Sequence, residues 1–286
     1  MDVVFIYNGL GNQMSQYAFF LSKKLSGQKV CYTSLNTGHN GFELGELFGI
    51  KGENKFYRFA HVLLWLKSMN SVNRFITPIL NLLGIHFYNE NSDYSYHHEA
   101  MIPKPGITFF LGGWHNLLYF DDYVAQIKNQ FAFPEITDES NRAIIKLAGE
   151  SNTVAIHIRG GDYLQGNLYK SYGVVCNQDY YERAIRLIEK KVEKPMYCVF
   201  TNDIALAKQY LDGRNYTVVN NNTGINSWKD MAIMSKFKNI IIANSTFSWW
   251  AAFLGSQDKT VICPRYLQEG NLTSDIFPTN WIRVDK

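Results

Sequence analysis

The hydrophobic pattern changes character along the chain. From Thr153 onward, short apolar runs alternate with stretches whose apolar residues recur every three or four positions, the marks of buried strands and amphipathic helices. This predicts strands over 153–159, 196–201, 216–219, 239–243 and 260–263, with helices over 178–192, 203–212, 228–236 and 246–254. Strands separated by helices argue a doubly wound parallel sheet. Before Thr153 the pattern is less regular. Val3 to Tyr7 reads as a strand that breaks at Asn8-Gly9-Leu10-Gly11 and enters a helix through Met14, Tyr17, Leu21 and Leu25. Gln28 to Tyr32 reads as a second strand and Phe42 to Phe48 as a short amphipathic element. Pro103 to His115 carries a strand with a glycine-aromatic end at Gly112, Gly113 and Trp114.

Between these, Phe56 to Leu83 repeats apolar residues at helical spacing, interrupted by Pro78. It reads as a helical insert covering the sheet. Its Lys55, Arg58, Lys67 and Arg74 also suit a face resting on an acidic membrane, a possible peripheral contact. A helix capped by Thr137 or Asp138 and ending near Gly149 is the expected bridge, so the domains are expected at 1–148 and 149–286.

Strand ends carry the polar chemistry. The first strand of the second half ends in His157, Arg159, Gly160, Gly161, Asp162 and Tyr163, the second in Thr201, Asn202 and Asp203, the fourth in Asn244, Ser245, Thr246, Phe247 and Ser248. Parallel strands bring such ends to one rim, where open α/β sheets bind ligands. The run Asn244 to Ser248 opens a helix whose first N–H groups suit a phosphate, and Arg159 can supply a fork to the same anion. His157 shares a strand face with Arg159, as a satisfied core residue or a ligand contact. Asp162 either pairs with Arg159 or acts as a base. Asp230 reads by default as a first-turn helix acid.

Composition narrows the classes. The 286 residues exceed one comfortable core, and the hydrophobic share of 46% is that of a globular protein. A charge of +3 with scattered basic residues speaks against a nucleic-acid partner. Aromatic residues make up 15%, which suits a protein that stacks rings on sugars or bases as well as one with a large core. Cys31, Cys176, Cys198 and Cys263 lack CxxC spacing and read as reduced, buried thiols of a cytoplasmic protein. The start lacks a basic segment and no run approaches the length of a membrane span, so neither signal peptide nor anchor is expected. The glycine turn after the first strand lacks the third glycine and the ribose-binding acid of a dinucleotide fingerprint, which disfavours an oxidoreductase. No D-x-D, Walker lysine loop, H-E-x-x-H or G-x-S-x-G is present, so no metal is expected.

Four blocks, GLGNQMSQYA at Gly9 to Ala18, HIRGGDY at His157 to Tyr163, Thr201-Asn202-Asp203, and NSTFSWWAA at Asn244 to Ala252, resemble the signatures of the glycosyltransferase family 11 α-1,2-fucosyltransferases. The resemblance implies a GT-B fold, two Rossmann-like domains whose parallel sheets face a central cleft. The first would take the acceptor, a galactose-terminated oligosaccharide or lipid-linked glycan, and the second GDP-β-L-fucose. Transfer would invert the anomeric carbon without a metal or other cofactor. Arg159 would hold the donor's β-phosphate, and Ser245, Thr246 and Phe247 would contact the diphosphate beside Asn244. His157 and Asp230 become candidates for guanine, with Asp203 beside them. Asn12, next to Gly11 in the glycine turn, resembles an asparagine set against donor and acceptor. Asp162 is expected as the base, with the leaving phosphate as the alternative. One departure stands out: Gly160 replaces the second arginine of the usual H-x-R-R-G-D-Y block, which keeps open an inactive carbohydrate-binding relative.

Overall fold

A computed structural model describes all residues except 36–38, 53–55, 69, 91–92, 272–275 and 286. The chain divides into two compact units, Met1–Ala132 and Phe133–Lys286. The expected α/β class with parallel sheets holds in both.

In the first unit, β1 (Asp2–Ile6) leads into α1 (Leu10–Leu25), followed by β2 (Val30–Ser34), α2 (Glu43–Phe48), α3 (Tyr57–Ser68), α4 (Asn70–Leu82), β3 (Ile85–Asn89), β4 (Ile107–Leu111) and α5 (Val124–Gln130). The sheet order is β2-β1-β4-β3, with every pairing parallel. Every residue of β1 is buried, as a strand covered on both faces requires. Lys23 of α1 is fully buried and forms an ion pair with Asp2 at 2.9 Å while donating to the Ala100 carbonyl at 2.6 Å. Removing either partner would strand a charge in the core.

Two expectations shift here. Pro78 lies inside α4 and does not end it. The strand β3 follows α4 after a two-residue turn, close to where the insert, read over Phe56 to Leu83, was expected to end. The helical stretch does not simply lie under cover: Phe59, Val62 and Trp65 of α3 and Phe75, Ile79 and Leu82 of α4 are exposed, Leu82 at 88%. Lys55 lies outside the described residues, as do the side chains of Lys67 and Arg74; Arg58 is exposed. Among the described residues no helix is long and apolar enough to cross a membrane.

The second unit begins with α6 (Glu139–Ala148) and continues through β5 (Thr153–Ile158), a single turn α7 (Gly166–Leu168), α8 (Gln178–Glu189), β6 (Met196–Thr201), α9 (Ile204–Tyr210), β7 (Tyr216–Val219), α10 (Trp228–Met234), β8 (Asn239–Ile241), α11 (Thr246–Leu254), β9 (Thr260–Pro264) and β10 (Ile282–Val284). Placing α6 here moves the boundary ahead of the helix expected to precede it. The reason is long-range bonding: Asp138, which caps α6, pairs with Lys229 at 2.9 Å, and Asn141 exchanges amide hydrogen bonds with Asn222 at 2.8 and 2.9 Å. The sheet order is β10-β9-β8-β5-β6-β7, all parallel. The chain winds outward from β5 to β6 and β7, then returns to β8 on the other side. The crossing point therefore lies between β5 and β8, where open α/β sheets form their ligand crevice.

The four cysteines are free, and three are buried; Cys31 is only half-buried. Burial pushes the Cys198 thiol up to about 11 and that of Cys263 up to about 12, so both stay protonated.

Candidate functional site

The three polar strand ends expected to converge belong to β8, β5 and β6, which are neighbours in the sheet. Register aligns Ile156 with Ile241 on one side and Ile158 with Thr201 on the other. The mouth of the second sheet thus carries His157 and Arg159 at its centre, Asp203 to one side and Asn244 to Phe247 to the other.

Arg159 donates through Nη2 to Asp162 Oδ1 at 2.7 Å, and its guanidinium lies 5.3 Å from the centre of the Tyr163 ring. The arginine side chain is 29% exposed and the aspartate 48%, so the pair faces solvent enough to exchange partners. Tyr163 reaches across to the Asn244 carbonyl at 3.4 Å, tying the loop after β5 to the start of α11. His157 is buried, and its ring centre lies 5.8 Å from that of Phe247. Burial, with the nearby Arg159 charge, lowers its pKa to about 3. The imidazole is therefore neutral near pH 7 and can exchange hydrogen bonds but not neutralise a phosphate. Its Nδ1 is buried without a hydrogen-bond partner.

At the start of α11, Ser245 Oγ accepts from the Phe247 N–H at 3.3 Å, while Thr246 and Phe247 are half-buried. The first-turn N–H groups of this helix face the mouth with the positive end of the helix dipole. Asn244 is buried, and its side-chain amide donates to the carbonyls of Tyr172 at 3.0 Å and Leu267 at 2.9 Å. Both N–H groups of that amide are thus committed to holding loops.

Asp203 caps α9 by accepting from the Leu206 N–H at 3.0 Å. Its side chain also explains the departure at Gly160. A Cβ on Gly160 would lie 2.5 Å from the Asp203 Cβ, too close for any side chain, while the Gly160 N–H donates to Asn202 Oδ1 at 2.9 Å. In this chain the place of the second arginine is closed by Asp203. Asp230 stands in the first turn of α10, and its carboxylate accepts from Asn222 at 2.6 Å. Burial raises its pKa to about 7. Through Asn222, three residues past β7, it joins the Asn141 network.

Gly11 and Asn12 lie in the other unit, in the first turn of α1. Gly11 is buried and Asn12 half-buried. The glutamines of the same block brace the turn: Gln16 accepts from the Tyr7 N–H at 2.8 Å and donates to the Gly112 carbonyl at 3.0 Å, while Gln13 donates to the carbonyls of Asn8 and Gly41, both at 2.7 Å. These bonds join the ends of β1 and β4.

That first mouth holds a group without a sequence signal. Glu90, one residue past β3, accepts through Oε2 from the N–H groups of Gly113 at 2.6 Å and Trp114 at 2.9 Å. Its Oε1 is buried and has no partner. Burial outweighs both hydrogen bonds and raises its pKa to about 7. In the same turn, against Gly113, His115 is buried, with Nδ1 unpartnered and its pKa lowered to about 4 by desolvation.

Among the described residues no three or more His, Cys, Asp or Glu gather as metal ligands.

A sequence profile described as Glycosyl transferase family 11 matches residues 3–285. The chain belongs to that family of glycosyltransferases. Its curated relatives include the O-antigen biosynthesis glycosyltransferase WbnK of Escherichia coli, 42% identical over 136 residues. That match covers 47% of this chain and 45% of WbnK. The alpha-1,2-colitosyltransferase of Escherichia coli is 28% identical over 97% of both chains. The galactoside alpha-(1,2)-fucosyltransferase 1 of Ateles belzebuth is 29% identical over 50% of this chain and 42% of its own length. The chain thus spans less than half of WbnK and of the primate enzyme. Among solved structures, POFUT1 in complex with GDP aligns at a TM-score of 0.47 and 11% identity, over 91% of this chain and 96% of that one. The four blocks singled out in the sequence fall at both sheet mouths, the first at β1–α1 and the others at β5, β6 and β8.

Proposed function

We propose that the chain transfers L-fucose from GDP-β-L-fucose to the 2-hydroxyl of a terminal galactose, with inversion and without a metal. The observation that carries this reading is the crossing point between β5 and β8, where Arg159 and the Ser245-capped start of α11 stand together. A diphosphate is the ligand that such a set suits: a fork, a helix N-terminus and a hydroxyl, each favouring negative charge.

In this reading, Arg159 exchanges Asp162 for the β-phosphate. As the bond from the fucose C1 to the phosphate oxygen breaks, the sugar gains oxocarbenium character and charge gathers on the phosphate. Arg159 and the amides of Thr246 and Phe247 stabilise that charge where it forms. Until the donor arrives, Asp162 holds the guanidinium in place. Neutral His157 and half-buried Asp230 offer hydrogen bonds to guanine, with Asp203 beside Gly160 fixing the loop. Asn12 and Gly11 serve the acceptor-side unit. The relative aligned over 97% of both chains carries the name colitosyltransferase, so a colitosyl donor is the second reading. A seat on an anionic membrane is a further part of the proposal. The stretch from Asn54 to Asn89 holds Lys55, Arg58, Lys67 and Arg74 and no acidic residue, beside the exposed apolar positions of α3 and α4.

A thermal-shift panel with GDP, UDP and NAD tests the donor class, because ligand bound to the native state raises apparent stability. GDP alone is expected to raise Tm; a shift with NAD and none with GDP would overturn the reading. Turnover of GDP-fucose against GDP-colitose, with lactose as acceptor, then separates the two sugars.

A further inference from the structure

The first sheet has its own crossing point. The chain runs from β1 to β2 on one side, then places β3 and β4 on the other, so the crevice position lies at the carboxyl ends of β1 and β4. The Gly112-Gly113 turn follows β4 there, with Glu90 at the end of neighbouring β3. Both glycines and Glu90 are half-buried, so the turn reaches solvent.

Buried polar atoms with nothing to bond gather at this turn. Among the described residues, eight buried side-chain nitrogens and oxygens lack a hydrogen-bond partner, and three of them are Glu90 Oε1, Trp114 Nε1 and His115 Nδ1. Each such atom is costly, and three in one turn call for a common cause. None of the three side chains is free to turn toward a partner. Glu90 is pinned through Oε2 by the N–H groups of Gly113 and Trp114. The Trp114 indole is stacked on Phe19, with ring centres 4.2 Å apart, and edged by Tyr119 at 5.4 Å. The His115 ring fills the place of a side chain on Gly113, where a Cβ would lie 2.3 Å from Nε2.

Gly112 joins two of these groups. A Cβ at that position would lie 2.4 Å from the Glu90 Cβ, 2.8 Å from Glu90 Oε2 and 3.1 Å from Trp114 Cε2, the indole carbon bonded to Nε1. The carboxylate and the N–H edge of the indole therefore flank one glycine. Their chemistry selects a ligand. The set offers a carboxylate oxygen, an indole donor and an imidazole that stays uncharged, because desolvation lowers the His115 pKa to about 4. None of the three is cationic near pH 7, so the set does not suit a phosphate. It suits hydroxyls, which donate and accept at once, and a pyranose carries several of them on one rigid ring.

We infer that Glu90, Trp114 and His115 form a binding site for a neutral pyranose within the first unit, with Glu90 Oε1 accepting from its hydroxyls and Trp114 Nε1 donating to them. The site goes beyond the proposed transfer. It is built by the ends of β3 and β4 and the turn that follows, and it calls on no residue of the second unit. Binding supplies the missing partners and makes or breaks no covalent bond.

The test titrates the full chain at pH 8, where the Glu90 carboxyl, with its pKa of about 7, is mainly ionised. The probes are methyl β-D-galactopyranoside, methyl β-D-glucopyranoside and methyl α-D-mannopyranoside, with binding read by saturation transfer from protein to sugar. At least one of them is expected to bind the wild type saturably. Trp114→Phe keeps a ring against Phe19 and removes the N–H. Glu90→Gln keeps an oxygen for the two backbone N–H groups and removes the charged acceptor. Each variant is expected to weaken binding of that sugar by about tenfold or more, as loss of a hydrogen bond in a buried site does. Without sugar, the Tm of Glu90→Gln at pH 8 is expected not to fall, because the amide removes the cost of a buried carboxylate. No saturable binding of any of the three sugars to the wild type, or an affinity within about twofold of wild type in either folded variant, would overturn the site. Should Trp114→Phe not fold, Glu90→Gln decides alone. A chain that binds a pyranoside through Glu90 and transfers nothing from GDP-fucose or GDP-colitose keeps this site and loses the proposed function.

Discussion

The two sheet mouths are built alike and charged oppositely. Each lies where a parallel sheet reverses its winding, each is edged by glycines, and each holds a buried histidine kept neutral by desolvation, His115 in the first and His157 in the second. The second mouth presents a partly exposed arginine and a helix N-terminus, a setting for negative charge. The first presents a carboxylate whose neutral form is favoured, a setting for a proton. One architecture has been given two chemistries by single residues at strand ends, Arg159 after β5 and Glu90 after β3.

The comparison can be broken first at Arg159. Arg159→Ala is expected to cost about 2–4 kcal/mol of transition-state stabilisation, read as a loss in kcat of about 30-fold to about 1000-fold. Turnover near normal would dissolve the contrast between the mouths. Gly160→Ala should come next in size. The added methyl meets the Asp203 Cβ at 2.5 Å, and overpacking of this kind costs about 1–3 kcal/mol. Urea denaturation reads that loss, and unchanged stability would mean that Asp203 yields readily and that the missing arginine has another cause. Asp230→Asn sharpens the contrast from the side of stability. Burial raises the Asp230 pKa from 3.8 to about 7, so the native state holds its proton more tightly than the unfolded chain. The contribution of this carboxyl to stability is therefore full below about pH 4 and is lost as pH rises through about 7. Asparagine keeps the bond from Asn222 without a charge. The variant's Tm is expected to exceed that of the wild type by a few degrees at pH 8 and to match it near pH 4. Equal Tm at both values would place Asp230 in water.

Much of the second unit was legible because its elements alternate at short range. The strand at 196–201, the strand at 216–219 and the helix at 246–254 have the bounds expected of them, since each is closed by a local turn or cap. β10 went unread because three residues carry no period, and only pairing with β9 defines it. In the first unit, β3 was hidden behind Leu82 and Leu83, whose apolar run passes into it across Gly84. Missing β3 also hid Glu90, since a lone glutamate means little until a strand end places it beside Gly113. The boundary moved for a similar reason: Asn141 and Asp138 tie α6 to residues more than eighty positions away. At the second mouth, the residue types and their convergence could be read, but not their commitments. The amide of Asn244 is spent on two loop carbonyls, and Asp203 both caps α9 and closes the space at Gly160.

The most direct test of the central claim is a crystal structure of the protein with GDP-fucose or GDP. The account predicts the β-phosphate at the carboxyl ends of β5 and β8, within hydrogen-bond reach of the Arg159 guanidinium and the backbone N–H groups of Thr246 and Phe247, with the Arg159–Asp162 pair opened. A diphosphate bound at the first mouth, or bound at the second with Arg159 still paired to Asp162, would contradict it.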